Sequence, residues 1–108
     1  MSEVIERIQS AIRSNRICIF MKGNRNFPMC GFSAATVQIF EQLAAPYGTV
    51  DVLGDPELRE EIKLYSNWPT IPQVYIDGKF VGGCDIVREL YETGELQDLV
   101  KSALSQSA

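Results

Sequence analysis

The sequence predicts an α/β protein: a mixed four-stranded sheet flanked by helices on both faces. Three observations lead there. The chain has 108 residues, 45% hydrophobic and 22% charged, which suits one domain over residues 1–108 with a real core and leaves no room for two. Its apolar periodicity switches between helical and extended in the order α-β-α-β-α-β-β-α-α. A two-residue turn, Asp77-Gly78, separates the last two extended runs and marks a hairpin. Strands joined through a helix are parallel and a hairpin is antiparallel, so the sheet is mixed.

Each element has a local cause. Val4, Ile5, Ile8 and Ile12 share a helical face that ends at Ser14-Asn15. Ile17 to Met21 is uninterrupted apolar sequence, as a strand covered on both faces requires. Lys22 to Cys30 is rich in turn formers. Phe32 to Ala45 carries Val37, Phe40, Leu43 and Ala44 at helical spacing and is stopped by Pro46 and Gly48. Thr49 to Leu53 reads as the second strand. Asp55-Pro56-Glu57 starts a helix, with an N-cap acid and proline at the first helical position; Leu58, Ile62 and Tyr65 are its expected buried face. Gln73 to Gly82 holds the hairpin. Asp85 is expected to cap a helix with inner face Ile86, Val87, Leu90 and Tyr91, ended by Gly94. Leu96, Leu99, Val100 and Leu104 mark the last helix, and the tail from Ser105 reads as frayed.

Composition narrows the chemistry. There is no histidine, which removes Ser-His-Asp and Cys-His catalysis, imidazole acid–base work and His-ligated zinc or haem. The formal charge is −4, from 10 basic and 14 acidic residues, and the basic ones are scattered. No nucleic-acid footprint is present. No apolar run approaches the ~18 residues of a membrane span, so no membrane partner is expected. Met1-Ser2 leads into an amphipathic helix pattern, not an Arg-rich leader. The expected location is the cytoplasm, with a processed organellar form left open.

The cysteines are Cys18, Cys30 and Cys84, and no two have C-x-x-C spacing. A closed zinc site lacks ligands. Cys18, inside the ICIFM run, reads as inert core. Cys30 follows a strand and a loop and immediately precedes a helix, so its sulfur belongs at the helix N-terminus, where free N–H groups and the macrodipole favour a thiolate. Lys22, at the end of the preceding strand, adds positive charge. Ser33 stands where a dithiol enzyme carries its second cysteine, so Cys30 works alone or with an outside thiol.

Cys30-Gly31-Phe32-Ser33 resembles the signature of the monothiol, CGFS-type glutaredoxins. Met21-Lys22-Gly23, Trp68-Pro69-Thr70-Ile71-Pro72-Gln73 and Gly82-Gly83-Cys84-Asp85-Ile86 agree with that family in order and spacing. The likeness extends to about Leu104. The loop Asn24 to Phe27 is the least constrained part. The element order matches the thioredoxin-like fold, although periodicity by itself also fits other small α/β sandwiches.

The resemblance implies a set of roles. Ile71-Pro72 is cis, turning the Ile71 N–H and C=O toward a bound peptide beside the thiol. That peptide is glutathione. Lys22 and Arg59 are candidates for its glycyl carboxylate; Arg59 is read on the helix face opposite Ile62, where the default is a solvated charge. The N–H groups of the Gly82-to-Asp85 turn suit the other carboxylate, and Asp85 suits the ammonium. Cys84 is either an accessory thiol or a residue whose backbone binds, the second being preferred. Cys30 is the reactive thiol and the metal ligand. With glutathione as second ligand, two copies bridge a 2Fe-2S cluster and hand it to apo iron–sulfur acceptors. Homodimer when cluster-bound, monomer when apo, and pairing with BolA-like proteins are further implications. The other reading is an enzyme, a glutathione-dependent oxidoreductase acting on mixed disulfides.

Overall fold

The structure, a computed structural model, describes residues 2–105. The elements are α1 (Glu3–Ser14), β1 (Ile17–Met21), α2 (Gly31–Leu43), β2 (Gly48–Asp51), α3 (Pro56–Ser66), β3 (Gln73–Ile76), β4 (Lys79–Gly82), α4 (Cys84–Thr93) and α5 (Glu95–Ser105). Types and order are those expected. The sheet order is β2-β1-β3-β4. β1 pairs parallel with β2, Cys18 opposite Gly48, and antiparallel with β3, Ile17 opposite Ile76. β3 and β4 form the hairpin. Asp77 and Gly78 both have positive φ, 54° and 78°, as a type I′ turn demands.

β1 lies inside the sheet, and all five of its residues are buried. Strand geometry sends alternate side chains to opposite faces. Ile17, Ile19 and Met21 join Val37, Phe40, Val87 and Leu96 in one core. Cys18 and Phe20 join Ile8, Leu58, Ile62 and Tyr75 in the other. Helices α2, α4 and α5 therefore cover one face, and α1 and α3 the other. Phe20 meets Tyr75 edge-on with centroids 5.5 Å apart. Among the described residues no helix is long and apolar enough to cross a membrane.

Several boundaries and faces differ from expectation. α2 ends at Leu43 because Ala44 turns left-handed at φ 54°, two residues before Pro46. β2 begins at Gly48 and ends at Asp51; Val52 is buried past its end and Leu53 is 40% exposed. Asp55 caps α3 as expected, its carboxylate accepting the Leu58 N–H at 3.1 Å. Tyr65, Ile86 and Leu99 are exposed rather than buried. Each sits at the margin of its helix's apolar stripe, where packing angle and not spacing decides burial. Asp85 does not cap α4: Gly83 occupies the N-cap with no side-chain bond, and Asp85 lies one residue inside the helix. The expectation of a frayed tail falls mostly on 106–108, outside the described residues.

Candidate functional site

The β1–loop–α2 unit carries Cys30 to the N-cap of α2 (φ −153°, ψ 157°). Extended backbone there folds its side chain back over the first turn. The Ser33 N–H donates to Cys30 Sγ at 3.3 Å, and Sγ lies 3.2 Å from Ser33 Oγ. Partial burial pushes the thiol pKa up. The hydrogen bond with the Ser33 hydroxyl, those from the Ser33 and Phe32 N–H groups and the Lys22 charge together outweigh it and leave the pKa below the ordinary 9.0. Burial without such partners pushes the Cys18 thiol up to about 12. Two cysteines of one chain are thus set apart by environment, one reactive and one inert.

The loop before Cys30 is tightly held. The Met29 N–H donates to Lys22 O at 2.8 Å, closing the loop at its base. Gly23 adopts φ +87°, and a Cβ there would lie 2.2 Å from the Phe27 carbonyl oxygen. Arg25 stacks 4.0 Å over the Tyr47 ring, donates to Tyr47 O at 3.3 Å and pairs with Glu41 at 3.3 Å. No turn propensity encodes this clasp, because its partners lie 16 and 22 residues away.

The Trp68–Pro72 turn is fastened by a buried amide. Gln73 Nε2 donates to Trp68 O at 3.1 Å and to Thr70 O at 3.2 Å, while Tyr75 Oη–H donates to Gln73 Oε1 at 3.3 Å. Gln73 is fully buried, so these bonds offset the cost of burying it. Trp68 packs on Phe80 with centroids 5.7 Å apart. The Ile71-Pro72 peptide is cis.

Between α3, this turn and the start of α4 lies a cavity of roughly 490 Å³, a size suited to a small organic ligand. Lys22, Arg59, Ile71, Cys84 and Asp85 all line it, so five residues picked from the sequence converge. Cys30 is not in its wall; Lys22 and Phe32, which act on the Cys30 sulfur, connect the two. Arg59 is not on a face opposite Ile62. Residues three apart on a helix are neighbours, and Arg59 is half-buried on the cavity wall. The sequence reading missed Lys63, one turn beyond Arg59 on the same face, and Thr70 in the turn. The i,i+4 spacing of Arg59 and Lys63 was the available signal for the former.

Opposite charge stands at the other end. The Asp85 side chain is 87% exposed, 3.8 Å from Arg88. Cys84, the first residue of α4, is only 5% exposed, with Arg88 Nη2 3.6 Å from its sulfur. Gly83 makes the close approach possible: a Cβ there would meet Pro72 O at 3.2 Å and Trp68 Nε1 at 3.3 Å.

Comparison with known proteins agrees with this geometry. The sequence model of the glutaredoxin family matches residues 17–81. A monothiol glutaredoxin of Synechocystis sp., ycf64-like, is 52% identical over 95% of this chain and 96% of its own. The solution structure of reduced poplar apo GrxS14 superposes with a TM-score of 0.86 at 46% identity, covering 95% of this chain and 94% of that one. The crystal structure of a buckwheat glutaredoxin–glutathione complex gives 0.82 at 26% identity, covering 93% and 89%. A family match over more than half the chain, joined to one thiol at a helix N-cap with serine in the second position, places the chain in the glutaredoxin family, in its monothiol branch.

Proposed function

We propose that this chain, as a single glutaredoxin domain, binds glutathione in the cavity beside Cys30. Cys30 and the glutathione thiol then hold a 2Fe-2S cluster between two copies of the chain, for delivery to apo acceptor proteins. The observation that carries this reading is one accessible, acidified thiol beside a cavity bearing three cations and one carboxylate. Glutathione has two carboxylates, one ammonium and a thiol. Lys22, Arg59 and Lys63 suit the glycyl carboxylate, each contact contributing about 1.5–3 kcal/mol where dry and less on a wet rim. The N–H groups at the start of α4 suit the second carboxylate, and Asp85 the ammonium. The Ile71 backbone supplies a strand-like edge for the tripeptide. Cys84 contributes backbone, since its thiol is buried against Arg88. The buckwheat complex supports glutathione as the ligand.

Ligand counting supports the bridging arrangement. A 2Fe-2S cluster takes four thiolates. Cys18 and Cys84 are buried, which leaves Cys30 as the accessible one. Two copies with two glutathiones complete the set. The dimer then depends on its cargo and falls to monomer without it. BolA-like proteins are proposed partners from the family resemblance. Anaerobic reconstitution with iron and sulfide across a glutathione titration tests this, read by visible absorbance and elution volume. Absorbance and a dimer are expected only with glutathione, and neither in Cys30→Ser. A stable coloured dimer in glutathione-free buffer overturns the reading.

The lowered Cys30 pKa also suits reduction of glutathionylated proteins. Cys30 attacks the glutathione sulfur, the protein thiolate leaves, and a second glutathione regenerates Cys30 with release of glutathione disulfide. Turnover of a glutathionylated peptide by cluster-free monomer is the distinguishing measurement.

A further inference from the structure

Gln73 opens β3, directly after the turn that lines the cavity, and it is fully buried. Its strand is paired on both sides, with Gln73 opposite Phe20 of β1. Alternate strand residues share a face, so the Gln73 side chain points the same way as Tyr75, into the core that carries α3.

A primary amide has two N–H donors and one acceptor oxygen. Both donors are used inside the turn, on Trp68 O at 3.1 Å and Thr70 O at 3.2 Å, and the oxygen accepts the Tyr75 hydroxyl at 3.3 Å. The reversed amide would set its oxygen against two carbonyl oxygens, so the partners fix its orientation.

Trp68 carries this clamp to the other walls. Its N–H donates to Lys63 O at 3.1 Å and to Ser66 Oγ at 3.1 Å, at the end of α3. Its indole Nε1 stands 3.3 Å from where a Gly83 Cβ would lie, beside the start of α4. The turn, α3 and the start of α4 all line the cavity. One buried amide therefore governs how far the Ile71 backbone stands from the Arg59 and Lys63 side chains.

That distance has a chemical meaning. With glutathione bound as described above, Ile71 pairs with the cysteinyl unit, and Arg59 and Lys63 take the glycyl carboxylate. One residue separates the two contacts, about 3.3–3.6 Å of extended chain. A dipeptide without the glycyl unit carries its carboxylate one residue short of the cations.

We propose that Gln73 is a positioning residue that determines specificity: its buried amide holds the Trp68-to-Pro72 turn at the distance from α3 that selects a peptide ending in cysteinyl-glycine over one ending in cysteine. The selectivity rests on the glutathione reading above; the clamp on the turn does not.

Calorimetry with glutathione and with γ-glutamylcysteine, on wild type and variants, gives the ratio of the two affinities. Wild type is expected to prefer glutathione. Gln73→Met keeps the length of the side chain and loses all three bonds, and its preference is expected to fall about tenfold. Tyr75→Phe keeps the ring against Phe20 and removes only the bond that orients the amide; a fall of about fourfold is expected. Val100→Ala opens space in the opposite core, under α5, and controls for stability: it lowers Tm and leaves the ratio within about twofold of wild type. Should Gln73→Met fail to fold, the Tyr75→Phe ratio against the Val100→Ala control decides the matter. A Gln73→Met ratio within about twofold of wild type, including an equal loss of both affinities, overturns the role of Gln73 and leaves the glutathione reading standing. Equal affinity of wild type for the two peptides also overturns the selectivity alone. Wild type that binds neither peptide overturns the glutathione reading, and the selectivity with it.

Discussion

At Cys30 two backbone N–H groups, the contact with the Ser33 hydroxyl and the Lys22 charge act on one sulfur, while Cys18 has only burial. The two thiols therefore titrate on opposite sides of the ordinary value of 9.0. Alkylation by iodoacetamide, followed by mass spectrometry, is expected to label Cys30 with a midpoint below pH 9.0 and to leave Cys18 unlabelled in the folded protein. The same difference appears in stability. A folded-state thiol pKa below the unfolded one means the unfolded chain binds more protons between the two, so stability rises with pH in that window. The contribution is complete above pH 9.0 and is lost as pH falls through the lowered value. Denaturant titrations at several pH values check this: Cys30→Ser flattens that rise, and a slope unchanged by the substitution contradicts the assignment.

The elements position this residue by different devices. α3 starts where Asp55-Pro56 says it must, because capping and proline geometry are local. The Gly23 turn is local in conformation but long-range in consequence, since it folds the loop back onto Lys22 and sets Cys30 on α2. Gly23→Ala puts a Cβ 2.2 Å from the Phe27 carbonyl oxygen at a φ of +87°. Strain of this kind costs about 1–3 kcal/mol. The expected outcome is a lower Tm together with slowed alkylation of Cys30, because the loop and N-cap move as one. Normal alkylation in a destabilised variant shows that the loop does not position the thiol.

Across the whole molecule, two cores clamp one sheet, and β1 contributes to both. Phe20 is fully buried against Tyr75. Phe20→Ala is expected to cost about 3–5 kcal/mol in denaturant melts. It lies in the core beneath α1 and α3, so α3 and the cavity cations are loosened along with the fold. The net charge of −4 does not reveal how the cations are distributed in space. The fold brings Lys22, Arg59 and Lys63 to the wall of one cavity and so concentrates positive charge there on an acidic protein. Glutathione binding, followed by calorimetry, is therefore expected to weaken as salt rises from 0.05 to about 0.5 M, since screening length falls severalfold over that range. Lys22→Ala and Arg59→Ala each reduce affinity and flatten the salt dependence; a salt-independent affinity contradicts a charge-led site.

The order of elements, the hairpin turn, the helix start at Pro56 and the placement of Cys30 at an N-cap were legible in the sequence, because each follows from period, dihedral preference or capping within a few residues. The family resemblance also singled out Lys22, Arg59, Ile71, Cys84 and Asp85, which line one cavity. Tertiary structure decided what depends on distant partners. The Arg25 clasp on Tyr47 and Glu41, the Gln73 bonds that fasten the Trp68 turn and the half-burial of Arg59 arise from packing between elements far apart in the chain. So do the exposure of Tyr65, Ile86 and Leu99 and the N-cap of α4 at Gly83 rather than Asp85. Local sequence sets which conformations a segment prefers; the angles at which helices meet the sheet select which side chains face a neighbour, a cavity or water.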